Sequence, residues 1–250
     1  MIKLSSLILG VLLLAGCAGN NPADPYEKYN RKVYAFNTTL DEVLLKPVAT
    51  GYRAVTPNLV RDGIGNAIDN LTEPRNMVNN LLQGRITAFL ESTHRFVFNS
   101  TFGLGGLVDL TSTFKLPEYK ASDFGMTLAY YGWEESSYFL LPFLPPRTFR
   151  DQVGLGVDVF ITDPRVYVMD VKGEVIIAVV DNVNARSNLL EADKLSKKIS
   201  LDNYVFQRES VLQHRNNQLR KSGIDVPDQS YNDEDDDEFS ISDIARQNAQ

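Results

Sequence analysis

Residues 24–37 read "DPYEKYNRKVYAFN", Asp24 to Asn37. Asp24 offers a capping oxygen, Pro25 suits the first helical position, and Glu27 stands where a capping box places its acid. Tyr26, Tyr29, Val33, Phe36 and Leu40 then recur at helical spacing and share one face. This is the grammar of an amphipathic helix, and it repeats along the chain. The expected fold class is mainly α.

Working outward, Pro47 is expected to end that helix and Thr56-Pro57 to begin the next, with Val60, Ile64, Ile68 and Leu71 on its stripe. Pro74 is expected to open a further short helix through Met77 and Leu81, closed by Gly84 as a C-cap. Ile86, Phe89, Leu90, Thr93, Phe96 and Val97 keep the helical period until Gly103-Leu104-Gly105-Gly106 breaks it. Thr148 reads as an N-cap, followed by a face of Phe149, Val153, Val157 and Phe160. Gly154 and Gly156 interrupt that segment, each weakening a helix by about 1 kcal/mol relative to alanine. Glycine there points to close backbone approach, a kink or the wall of a passage. Glu174–Asn182, Arg186–Lys198 and Asp202–Lys221 read as three more helices, the last closed by Gly223.

Tyr130 to Phe149 is different: "YYGWEESSYFLLPFLPPRTF". Pro142, Pro145 and Pro146 forbid a regular helix, and no alternation supports a strand. Tyr138 to Leu144 is too apolar for a free loop, so it is either buried or faces something apolar.

The start of the chain carries a different signal. Lys3 precedes an apolar run from Leu4 to Ala15, the layout of a secretory signal peptide. The run is too short to cross a bilayer, which takes roughly 20 residues. It ends in Leu14-Ala15-Gly16-Cys17, with the only cysteine of the chain. That tetrapeptide resembles the bacterial lipobox, which makes Cys17 the lipidated first residue of the mature protein. Ala18 in place of Asp resembles the sorting signal for the outer membrane. More than one acyl chain would hold the protein firmly, and a lone cysteine leaves no internal disulfide.

The net charge of −7 sits at the other end. Between Asp225 and Gln250, nine acidic residues face one basic residue, Arg246, so the body is near neutral. "NDEDDDE" at residues 232–238 repels itself and is expected to be a solvated, disordered tail. Docking or weak calcium binding are the other readings of it. No basic patch suggests nucleic acid.

Enzymatic signals are poor. There is no nucleophile elbow, P-loop, dinucleotide fingerprint or zinc-protease pair. His94 and His214 lie far apart on expected helices, and with no mature thiol they leave little for a metal site or a triad. No enzyme and no cofactor beyond the lipid on Cys17 are expected. Glu134-Glu135 reads as a solvated pair, and the Asn-x-Ser/Thr matches at Asn37, Asn70 and Asn99 carry no meaning behind a lipobox. Arg150, Asp151 and Asp158 are the exception: the two aspartates are two helical turns apart and share a face. They are a surface salt-bridge group or the polar lining of a wet passage.

"DPYEKYNRKVYAFN", "LTEPRNMVNNLLQG", "FNSTFGLGGLVDL", "DFGMTLAYYG" and "LPFLPPRTFRD", in this order, resemble the MlaA family of outer-membrane lipoproteins, also called VacJ. The resemblance runs from about Asp24 to Gly223. It implies a ring-shaped helical protein in the outer membrane of a Gram-negative bacterium, with a central amphipathic channel. It implies removal of mislocalised phospholipid from the outer leaflet, transfer to a soluble periplasmic carrier, and association with trimeric porins. On that reading Arg150, Asp151 and Asp158 become channel candidates, with Arg150 meeting a phosphate. Trp133, Tyr138, Phe139 and Phe143 become membrane-facing or loop candidates. One departure stands out: Glu134-Glu135-Ser136-Ser137-Tyr138 replaces the family's glycine-containing hairpin, which puts gating by a mobile loop in doubt. The implied organisation is a signal peptide at 1–16, a lipidated linker at 17–23, a helical domain at 24–223 and an acidic tail at 224–250. The competing readings are a structural or adhesion lipoprotein acting through its tail and, more remotely, a lipid hydrolase using the two histidines.

Overall fold

The computed structural model describes residues 21–114, 121–163, 167 and 169–226. Cys17, the expected signal peptide before it and the acidic run lie outside these residues. Helix α1 spans Glu27–Leu40 and passes through a π-type turn, Asp41–Leu45, into α2, Lys46–Val55. Then come α3 (Asn58–Leu82), α4 (Ile86–Thr101), the short α5 (Leu110–Thr113) and α6 (Phe124–Tyr130). Two-residue strands β1 (Tyr138–Phe139) and β2 (Arg147–Thr148) pair antiparallel, so a minimal hairpin replaces the expected absence of strands. The chain closes with α7 (Phe149–Val157), a second π-type turn (Asp158–Thr162), α8 (Val171–Ile199) and α9 (Asn203–Lys221).

The expected cap at Thr148 is present, its side chain accepting from Asp151 N, and Asp202, read as the first residue of the last helix, caps it instead by accepting from Tyr204 N and Val205 N. Gly84 and Gly223 close their helices with φ of +67° and +72°, the left-handed conformation that favours glycine. Asp24 departs from expectation. Tyr26 holds the N-cap position of α1 without a side-chain bond, while the Asp24 carboxylate is fully buried. It accepts from Asn30 Nδ2 at 2.7 Å and from the Tyr204 hydroxyl. A buried carboxylate needs several donors, and the start of one helix offers fewer than α1 and α9 together.

Three expected breaks are absent. Pro47 does not end α1; the π-type turn bonds Lys46 N–H to Asp41 O, and Pro47 falls just past that turn, in the first turn of α2. Pro74 lies inside α3, where it removes one N–H toward Asn70. Packing of α4 along α3 holds that helix together against a cost of about 3 kcal/mol. α8 runs unbroken through residues 183–185 because Asn184 uses its side chain across the fold. It donates to Arg61 O at 3.2 Å and accepts from the Tyr52 hydroxyl at 3.1 Å. Arg186, two residues on, grips Asp41 with two bonds of 2.8 Å and ties α8 to the first π-type turn.

The apolar core is small and divided. One cluster joins Val33, Tyr138, Leu140, Tyr204 and Leu212; the other joins Met126, Ala129, Leu219, Ile224 and Val226. The second extends the folded domain past the expected boundary at Gly223, because Ile224 and Val226 are buried. Everywhere else the interior is polar. Among buried residues polar side chains outnumber apolar ones, while Val43, Val55, Leu59, Phe102, Phe160, Ile161 and Ile176 are exposed. Helix α7 shows the inversion most clearly. Phe149, Val153 and Phe160, read from the sequence as one apolar face, are exposed, and Arg150, Asp151, Gly154 and Asp158 face inward.

Candidate functional site

Helix α3 supplies the spine of the polar interior. Glu73, Asn76, Asn79, Asn80 and Gln83 follow one another at helical spacing, all buried. Asn76 Oδ1 accepts from Ser122 N at 3.1 Å, and Asn79 Oδ1 accepts from the Thr127 hydroxyl at 2.9 Å. Gln83 Nε2 donates to the Ser122 and Thr127 hydroxyls at 3.1 and 2.9 Å. Glu73 pairs with Arg95 of α4 at 3.0 Å. The donors of this row go to several elements, Asn76 to Glu73, Asn79 to Asp158, Asn80 to Ser92 of α4 and Gln83 to Thr127 of α6, as buried amides must find partners.

The opposite wall comes from α6, α7 and α9. Arg215 of α9 donates to Asp123 through both terminal nitrogens, at 2.9 and 2.7 Å, and to Asp151 Oδ1 at 2.8 Å. Asp151 also accepts from the Thr148 hydroxyl at 2.8 Å and Arg150 Nε at 3.1 Å. Asp158 accepts from Asn79 Nδ2 at 3.1 Å, Phe124 N at 3.0 Å and the Thr162 hydroxyl. Gly154 makes this closeness possible: a Cβ on it would stand 2.3 Å from Gly125 N. Gly156 has open space around it.

Electrostatics divides these carboxylates. Burial opposes charge on Asp123, but the Arg215 guanidinium overrides it and holds that carboxyl well below the usual range. Burial pushes Glu73 and Asp158 up, because their hydrogen bonds offset it only in part.

The sequence-derived candidates divide in the same way. Arg150, Asp151 and Asp158 do share one face, and that face is buried, so they form no surface salt bridge. Arg150 is 1% exposed. Its Nη1 donates to the carbonyls of Trp133 and Glu134 at 3.0 and 2.8 Å. Those donors and Nε are engaged, and Arg150 holds the 133–136 loop and Asp151. Tyr138 and Phe139 are buried and not membrane-facing; β1 packs them against α1 and α9, with Phe139 stacked on Tyr29. Trp133 and Phe143 are exposed, Phe143 at 73%. Asn37 fixes the Phe143 turn, donating to Leu141 O at 3.1 Å and accepting from Phe143 N at 3.0 Å. His94 and His214 are exposed.

Sequence reading missed the α3 amide row and Arg215. Polar residues at three- and four-residue spacing were the available signal, obscured because a polar stripe usually faces water. Among the described residues no group of His, Cys, Asp and Glu is arranged to hold a metal, and no helix is long and apolar enough to cross a membrane.

Fold and site together define a mainly α-helical protein with a hydrogen-bonded, charged interior and many apolar side chains exposed on its surface. The MlaA lipoprotein family model matches residues 22–218, and the chain belongs to that family. It is 34% identical over 220 residues to the intermembrane phospholipid transport system lipoprotein MlaA of Escherichia coli (strain K12), covering 85% of this chain and 86% of that one. A protein of Rickettsia felis is 33% identical over 205 residues, 82% of this chain and 79% of its own length. A solved chain from work on the structural basis for maintenance of bacterial outer membrane lipid asymmetry aligns with a TM-score of 0.69 at 32% identity, covering 78% of this chain and 98% of that one.

Proposed function

We propose that this protein is a conduit for phospholipid. It would take lipid mislocalised in the outer leaflet of the outer membrane and pass it to a soluble periplasmic carrier, keeping that membrane asymmetric. The observation that carries the reading is the inverted distribution of polarity, with buried charge and amides inside and exposed apolar side chains outside. Moving an ionised headgroup through hydrocarbon without polar partners costs many kcal/mol, so a lipid path needs such an interior. Exposed apolar side chains, with no spanning helix among the described residues, suit a ring lying within the bilayer, anchored by acyl chains on Cys17. The names of the relatives, which concern phospholipid transport and lipid asymmetry, support the same reading.

On this reading Asp151 and Asp158 hold α6, α7 and α9 around the path, and exposed Trp133 and Phe143 contact lipid or a partner such as a trimeric porin. No bond chemistry is required. The test is phospholipid exposed at the cell surface, in a strain lacking the protein and in complemented strains. Accumulation in the deletion, reversed by wild type and by a chain ending at Val226 but not by Cys17→Ala, supports the conduit. Loss of function on removing the tail supports the scaffold reading, and no accumulation overturns the conduit.

A further inference from the structure

Two arginines of the polar interior stand outside its bonding pattern. Arg75 lies on α3 in the helical turn of Asn76 and Asn79; Arg147 lies on β2 beside Thr148. In both, the Nε is buried without a partner. Among the described residues neither guanidinium makes an ion pair or a side-chain hydrogen bond, although both are only half-buried as residues. The neighbouring Arg150 and Arg215 each bond a carboxylate; Arg215 shares the unpartnered Nε but engages both terminal nitrogens.

The two belong to one electrostatic neighbourhood. Burial pushes Arg147 below its usual value, and the charges of Asp123, Arg215, Asp151 and Arg75 all act on it. Arg75 in turn acts on Asp123 and Asp158. Around this point Arg75, Arg147, Arg150 and Arg215 face Asp123, Asp151 and Asp158, and burial moves Asp158 toward its neutral form. Positive charge is therefore in excess. Keeping an uncompensated guanidinium half-buried is unfavourable unless an anion joins it, and the planar fork of arginine suits the oxygens of phosphate.

We propose that Arg75 and Arg147 form a binding site for a phosphodiester anion, the phosphate of a phospholipid headgroup within the polar interior. The site rests on the conduit reading and adds to it a specific place where the headgroup pauses. Its chemistry is shared with free phosphate, so the experiment separates the two sources.

The full lipidated chain, purified in neutral detergent, is titrated with short-chain phosphatidylglycerol and, separately, with inorganic phosphate. Arg75→Gln and Arg147→Gln should each weaken lipid binding about tenfold, equivalent to about 1.4 kcal/mol. The corresponding Lys variants should recover part of it, and the surface variant Arg53→Gln should bind like wild type. Thermal unfolding of the two Gln variants without lipid should match or exceed wild type, because each removes a charge without a partner; lower midpoints would overturn that premise. Binding of inorganic phosphate but not of lipid keeps the anion site and overturns its lipid source. Equal lipid binding by wild type and both variants overturns the site while leaving the conduit standing. Absence of all binding by wild type, in a protein that still clears surface phospholipid in cells, also overturns the site alone.

Discussion

Arg215 Nη2 stands 2.7 Å from Asp123 Oδ1, joining the penultimate turns of the last helix to the N-cap of α6. The same nitrogen reaches Asp151 at 2.8 Å, so one guanidinium bridges three helices. It replaces the apolar contacts that usually hold such elements together.

Arg215→Leu should therefore destabilise the fold by about 3–5 kcal/mol, the range for stranding buried carboxylates. Arg31→Leu, which breaks a half-exposed pair with Asp202, should cost far less, because such pairs contribute at most about 1 kcal/mol. Denaturant titration of the detergent-solubilised protein measures both, and equal losses would contradict the bridging role.

Acid should expose the same link. The folded pKa of Asp123 is depressed, so its contribution is present above the unfolded carboxylate value of about 3.9 and disappears as pH falls below it. Asp123→Asn should lower stability at neutral pH and flatten the acid limb of the stability profile. A variant with an unchanged acid limb would show that other groups govern it.

The two glycines of α7 should respond with opposite sign. Gly154→Ala drives a Cβ into the Gly125 backbone and should cost about 1–3 kcal/mol or more. Gly156→Ala meets nothing within 4 Å and should stabilise by about 0.5–1 kcal/mol, because alanine loses less chain entropy in a helix. The paired unfolding midpoints settle the matter.

Asn37→Ala should loosen the Phe143 turn without unfolding the protein. Removing both side-chain bonds should raise hydrogen exchange at the Phe143 amide while the α9 amides keep their protection. Unaltered exchange at Phe143 would mean that the turn holds itself.

Truncation locates the end of the domain. Deleting residues 227–250 should leave the unfolding midpoint unchanged. Deleting from Asp225 also removes buried Val226 and should cost about 1.5–3 kcal/mol.

Much of this protein was legible in its sequence, because caps, glycine closures and periodicity are local. The N-cap at Thr148, the closures at Gly84 and Gly223 and the shared face of Asp151 and Asp158 all follow from neighbouring residues. Helix continuity was not legible at Pro47, Pro74 and residues 183–185. There distant partners outweigh a local breaker, as Asn184 does by bonding α2 and α3. Nor was the sense of the faces legible. Periodicity determines which residues lie together, but whether that face turns inward depends on what the other helices offer it. Only the tertiary structure, by bringing Arg215 to Asp123 and Asp151 and the α3 amides to α6, made the polar face the inner one.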